Sequence, residues 1–224
     1  FGEPAVTTSL RKRNITVDFL RSGLKAGCGT LSGAIRDAAD GKTVHTFSMP
    51  FASRVEIPYV TPKLWSTESP ALYYLDLSVR DANGKVLDAK SLRFGFREFR
   101  VEGGKYLLNE KPISLHTDTS WPSFWTPEWN FEPDFVRKAF RTLKKMNLNS
   151  LYGKFIMLPD AFFDLADEEG ILIIYALDSI ANSIHRVPVD QYIGEFRRIA
   201  EENRTARCFI NHPCNIGILL DVWY

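Results

Sequence analysis

Three groups of side chains have the residue types and spacing to do chemistry. His116, Asp118 and Ser120 contain the types of a nucleophilic triad, but closeness in sequence is not geometry, and no nucleophile elbow surrounds Ser120. Immediately downstream, Trp121, Trp125 and Trp129 supply aromatic rings. A ring face for stacking beside polar groups that bond hydroxyls suits a sugar. His116, Asp118 and Trp121 are therefore candidate substrate contacts, against the simpler reading that the tryptophans pack a long loop. Cys208, His212 and Cys214 invite a zinc reading. Structural zinc wants four closely patterned ligands and the fourth is not apparent, so no metal and no cofactor is expected and the cysteines read as buried thiols. His212, followed by Pro213, is expected to bond backbone and fix the turn at a strand entrance. Asp221 closes the last apolar run and is the candidate for proton transfer, against the reading of a capping carboxylate. Asp178 holds a similar place after the preceding run.

The remaining composition bounds the partners. The 224 residues are 45% hydrophobic and 25% charged, as in an ordinary folded protein. Lysine and arginine total 28 against 27 acidic residues, a net charge of +1. That balance lacks the electrostatic term that dominates nucleic-acid binding, and Arg11-Lys12-Arg13 reads as a solvated strand end. No window approaches the roughly 20 apolar residues of a membrane span. Phe1-Gly2-Glu3-Pro4 shows none of the regions of a signal peptide, so the chain reads as an internal segment. Gly27-Cys28-Gly29 and Gly103-Gly104 do not stand between a strand and a helix, so they read as turns rather than phosphate loops. Asn14-Ile15-Thr16 and Asn203-Arg204-Thr205 fit the glycosylation pattern.

Two periods position these groups. From Asn14 to Phe99 apolar residues tend to alternate: Ile15-Val17-Phe19, Leu31-Gly33-Ile35, Val55-Ile57-Tyr59 and, most cleanly, Tyr73-Leu75-Leu77-Val79. Asn83-Gly84 supplies a hairpin turn before a return strand over 86–96. Short strands at this spacing predict an immunoglobulin-like β-sandwich over residues 1–99. After Tyr106 the period lengthens. Pro133-Asp134 opens a helix with Val136, Phe140, Leu143 and Met146 on its apolar face; Pro159-Asp160 opens a second that stops at Gly170; Pro188 opens a third. Short apolar runs lie between them at 113–115, 148–152, 171–176 and 216–220. Strands alternating with helices predict a parallel sheet over residues 100–224.

Three stretches resemble glycoside hydrolase family 2. Pro62-Lys63-Leu64-Trp65-Ser66-Thr67-Glu68-Ser69-Pro70-Ala71-Leu72-Tyr73 is similar to a segment late in that family's sandwich. Phe94-Gly95-Phe96-Arg97-Glu98-Phe99, continuing to Leu108-Asn109-Glu110-Lys111-Pro112-Ile113, resembles its crossing from sandwich to barrel, and Asn211-His212-Pro213 the approach to its fourth barrel strand. Asp164 to Leu172 resembles its second helix and third strand. The resemblance implies an immunoglobulin-like sandwich followed by a partial (β/α)8 TIM barrel, from a retaining, exo-acting β-glycoside hydrolase of the β-galactosidase, β-glucuronidase or β-mannosidase kind. Its implied partner is a β-linked carbohydrate. The family's acid/base Glu and preceding Asn fall here on Trp223 and Val222, and Asp221 lies two residues before the Glu position. The family's Arg-Gly and Asn after the first strand read His116-Thr117 and Thr119, and its second-strand arginine reads Tyr152, which joins the substrate-binding candidates. Retaining hydrolysis needs two carboxyl groups, so this chain alone is expected to be inactive. The alternative is a degenerate carbohydrate-binding or scaffold protein. An open half-barrel is further expected to self-associate, because the sides of Leu115, Leu151, Ile173 and Leu219 taken as inward would lack their opposing core.

Overall fold

In the computed structural model the described residues are 1–20, 22–59, 61–118, 132–153, 160–176 and 210–219. The chain divides into two compact units, Phe1–Ile113 and Ser114–Tyr224.

The first unit is built from two antiparallel sheets. Its strands are β1 (Glu3–Ser9), β2 (Asn14–Leu20), β3 (Thr30–Asp37), β4 (Thr43–Pro50), β5 (Arg54–Pro58), β6 (Tyr73–Arg80) and β7 (Val86–Phe94). One sheet has the order β1-β2-β5 and the other β4-β3-β6-β7. Period-2 alternation makes the core: Ile15, Val17, Leu31, Ile35, Val55, Ile57, Leu75, Leu77 and Val79 are buried in one cluster. The edge strand β4 is nowhere fully buried and leaves Val44 exposed, so its sequence carries a fainter strand signal. At the hairpin tip Gly84 takes φ 80°, and Asp81 Oδ1 accepts from the backbone N–H of Asn83 and Lys85. Asn14 is 6% exposed and donates to Glu56, so the folded chain does not offer it to a glycosyl group.

A three-stranded meander follows: β8 (Phe99–Glu102), β9 (Lys105–Leu108) and β10 (Lys111–Pro112). It belongs to the first unit because Asn109 staples it there. Asn109 Nδ2 donates to the Trp65 carbonyl at 2.9 Å, and its Oδ1 accepts from the Glu98 N–H at 3.0 Å. Trp65, fully buried, donates its own N–H to the Phe96 carbonyl. The first unit therefore runs to Ile113, whereas the sequence reading ends the sandwich at residue 99.

The second unit carries β11 (Thr117–Asp118), α1 (Pro133–Lys145), β12 (Ser150–Gly153), α2 (Asp160–Glu169), β13 (Leu172–Ala176) and β14 (Asn215–Leu219). The four strands pair in chain order, all parallel. Proline in the first turn and Asp134 suit the N-terminus of α1, and Lys144 and Lys145 its C-terminus. Val136, Phe140 and Leu143 are buried as the spacing predicts, but Met146 is the C-cap and 66% exposed, because the helix has ended before it can turn inward. In α2, Phe162, Phe163, Leu165 and Ala166 are buried, and Gly170 ends the helix at φ 70°. Phe140 packs edge-on against Phe162, and Arg141 forks onto the Glu169 carboxylate, joining the two helices. The expected third helix, Trp125, Trp129, Asp178 and Cys208 lie outside the described residues.

Candidate functional site

Register decides which side chains can meet. Thr117 pairs with Ser150, Asp118 with Leu151, and Leu151 in turn with Ile173. Directly paired residues share a face and successive residues alternate. Asp118, Leu151 and Ile173 therefore share one face, and Thr117, Ser150, Tyr152 and Ile174 the other. Leu151 and Ile173 are 1% and 0% exposed, so the expectation that they lack cover is corrected: theirs is the buried face. Leu115 is half-buried. On the opposite face Ser150 and Leu172 are buried too, Tyr152 and Ile174 are half-buried, and the Thr117 and Ser150 hydroxyls bond at 2.6 Å.

The candidates are accordingly not brought together. Asp118 and Tyr152 sit on opposite faces of the sheet. His116 is placed before β11 rather than beyond its C-terminal end, which corrects the expected position. Its N–H donates to Asn149 Oδ1, its carbonyl accepts from the N–H groups of Asn149 and Ser150, and its Nδ1 lies 2.9 Å from the Asn147 carbonyl. Asn149 Nδ2 also donates to the Ser114 carbonyl. These bonds hold His116 where β12 begins. Trp121 and Asp221 lie outside the described residues.

A second cluster forms at the same, N-terminal end of the sheet. His212 Nδ1 lies 2.6 Å from Asp167 Oδ2, and the Cys214 N–H donates to Asp167 Oδ1 at 2.9 Å. Asp167 is 1% exposed and Cys214 fully buried. The imidazole thus meets a buried carboxylate of α2 rather than backbone, and Asp167 holds the turn that feeds β14. Asp167 was legible as an anomaly: with Phe163, Ala166 and Gly170 it lies on the apolar stripe of α2, where an acidic residue needs a partner.

An antiparallel sandwich followed by a parallel sheet, with helices in its described connections, makes a mostly-sheet chain of two compact units. Residues 6–97 match the domain described as Glycosyl hydrolases family 2, which bears out the resemblance carried by the motifs. A Formosa agariphila protein named as a β-glucuronidase is 30% identical over 164 residues, 69% of this chain and 15% of its own length. A β-galactosidase of Lactococcus lactis is 28% identical over 121 residues, 53% of this chain and 12% of its own length. The chain thus spans a small part of these relatives. Among solved structures, the β-glucuronidase of Ruminococcus gnavus in complex with D-glucuronic acid superposes with a TM-score of 0.70 at 23% identity, covering 96% of this chain and 35% of that one. The folds are alike through both units.

Proposed function

We propose that this chain is a segment of a retaining, exo-acting β-glycoside hydrolase of family 2, comprising an immunoglobulin-like sandwich and the leading half of a TIM barrel, and that it is catalytically silent on its own. The observation that carries this reading is continuity. The 164 residues aligned with the Formosa agariphila protein outnumber those of the first unit, so the similarity runs on into the parallel sheet. The four strands have the chain-order, all-parallel pairing with which a TIM barrel begins. The silence follows from chemistry: the acid/base position falls on Trp223, which cannot transfer a proton.

The test is hydrolysis of nitrophenyl β-D-glucuronide and β-D-galactoside by the 224-residue chain. No nitrophenolate release is expected. Turnover that disappears in Asp221→Ala would show that Asp221 does the proton transfer, and would overturn the reading.

A second reading, a degenerate carbohydrate-binding protein, is favoured by one observation. Tyr152, half-buried, shares its sheet face with the bonded Thr117 and Ser150 hydroxyls, an aromatic ring beside polar groups. Ligand-detected NMR with methyl β-D-glucuronide and methyl β-D-galactoside tests it: binding lost in Tyr152→Ala supports it, and no binding by the unaltered chain rejects it.

A further inference from the structure

The zinc pattern that stops at Cys208, His212 and Cys214 in sequence is completed differently by the fold. α2 brings Asp167 to His212 and Cys214, so that one donor atom from each of these three lies within 4.8 Å of the others. The His212 and Cys214 donors come from the turn before β14, two residues apart in sequence. A fourth group is at hand: Asp164, one turn earlier on α2, places Oδ1 3.9 Å from His212 Nδ1.

We propose that Asp167, His212 and Cys214, with Asp164 as the outer fourth ligand, form a structural Zn²⁺ site at the N-terminal end of the parallel sheet. The donor set of imidazole nitrogen, thiolate sulfur and carboxylate oxygen suits zinc among the divalent ions, whereas calcium and magnesium prefer oxygen alone. Tetrahedral zinc holds its ligands at about 2.0–2.3 Å, so the Asp167, His212 and Cys214 donors need shifts on the order of 1 Å to surround it, and Asp164, outside that group, has to swing in further. The Asp167 carboxylate is pre-oriented, because Oδ1 accepts the Cys214 N–H and leaves Oδ2 facing the imidazole. Asp164, with its side chain 47% exposed, gives the ion its way in, while Asp167 and Cys214 are buried. On binding, the Cys214 thiol gives up its proton to solvent and the His212 Nδ1 must be unprotonated, so the affinity rises with pH. The site lies at the end of the sheet opposite the one where barrel enzymes build active sites. Its role is to clamp α2 to the entrance of β14.

The test uses the 224-residue chain freed of metal with a chelator that is then dialysed away. Zn²⁺ is titrated against a chromophoric competitor, and Co²⁺ is added separately as a spectroscopic probe. The expected result is one equivalent of Zn²⁺ per chain, a thiolate-to-cobalt absorption band, and a rise in melting temperature with zinc. Cys214→Ser should abolish the band and lower zinc affinity by at least tenfold, whereas Cys28→Ser should leave both unchanged. Should Cys214→Ser not fold, Asp164→Asn, altered at a half-exposed side chain, must weaken zinc binding while the metal-free melting temperature stays put. The absence of saturable binding overturns the proposal. So does a zinc affinity that Cys214→Ser leaves within tenfold of the parent's, or binding unchanged in Asp164→Asn.

Discussion

Replacing Asn109 should unfasten the meander from the sandwich. The side chain makes two hydrogen bonds, to the Trp65 carbonyl and from the Glu98 N–H, and its backbone holds φ 53°. Each bond contributes about 0.5–1.5 kcal/mol net. Alanine at a left-handed position adds about 1 kcal/mol that asparagine largely avoids. Asn109→Ala should therefore cost about 2–4 kcal/mol. With a urea slope of about 2 kcal/mol per molar, the unfolding midpoint should fall by about 1–2 M. Asn109→Gly accepts the backbone but loses both bonds, so it should cost less than alanine, about 1–3 kcal/mol. The assay is urea unfolding with pulsed hydrogen exchange and mass spectrometry, read on peptides from residues 1–113 so that the second unit does not contribute. An alanine variant within about 0.5 kcal/mol of the parent, the usual scatter of surface substitutions, would refute the staple. A glycine variant less stable than alanine would refute the backbone part of the reasoning.

Two further outcomes concern pH. Burial, aided by Tyr73, pushes the Tyr59 phenol up to about 12. Its folded value is raised, so the stability it contributes is present below its ordinary value near 10 and is lost as the pH climbs toward 12; ultraviolet titration should show a late phenolate component that Tyr59→Phe diminishes. The Lys63 ammonium, bonded at 2.7 Å, and the Ala39 N–H hold the Asp37 carboxyl below the usual range. That contribution is present above about pH 4 and is lost as the pH falls through the lowered value, so Asp37→Asn should flatten the acid limb of the urea midpoint against pH.

The sandwich was readable because its strands bury one side. Tyr73, Leu75, Leu77 and Val79 advertise β6, and all four are buried. β4 was harder to read because an edge strand buries little. In the second unit, periodicity located both described helices but not their ends, and Met146 overran α1. Facing was the real difficulty. Leu151 and Tyr152 are neighbours, and only the pairing of β12 with β13 shows which of them is covered. The Asp167–His212 contact spans 45 positions, which no local pattern encodes, although an acidic residue on an apolar helix stripe marks one end of it. Asp118 ends β11 as the sequence reading places it, but pairing with Leu151 sets it on the face opposite Tyr152, and His116 precedes the strand.

The reading of the second unit as an open half-barrel is tested most directly by sedimentation velocity over a wide range of concentrations. One sheet face is buried at Leu151 and Ile173; the other is buried at Ser150 and Leu172 and half-exposed only further along the strands, at Tyr152 and Ile174. A half-barrel of this kind should self-associate through the open face, so the weight-average sedimentation coefficient should rise with concentration. Tyr152→Glu, which places a charge on that face, should suppress the rise. A compact monomer whose coefficient does not change with concentration, in the parent and in Tyr152→Glu alike, would contradict the account and make the four strands a self-sufficient sheet.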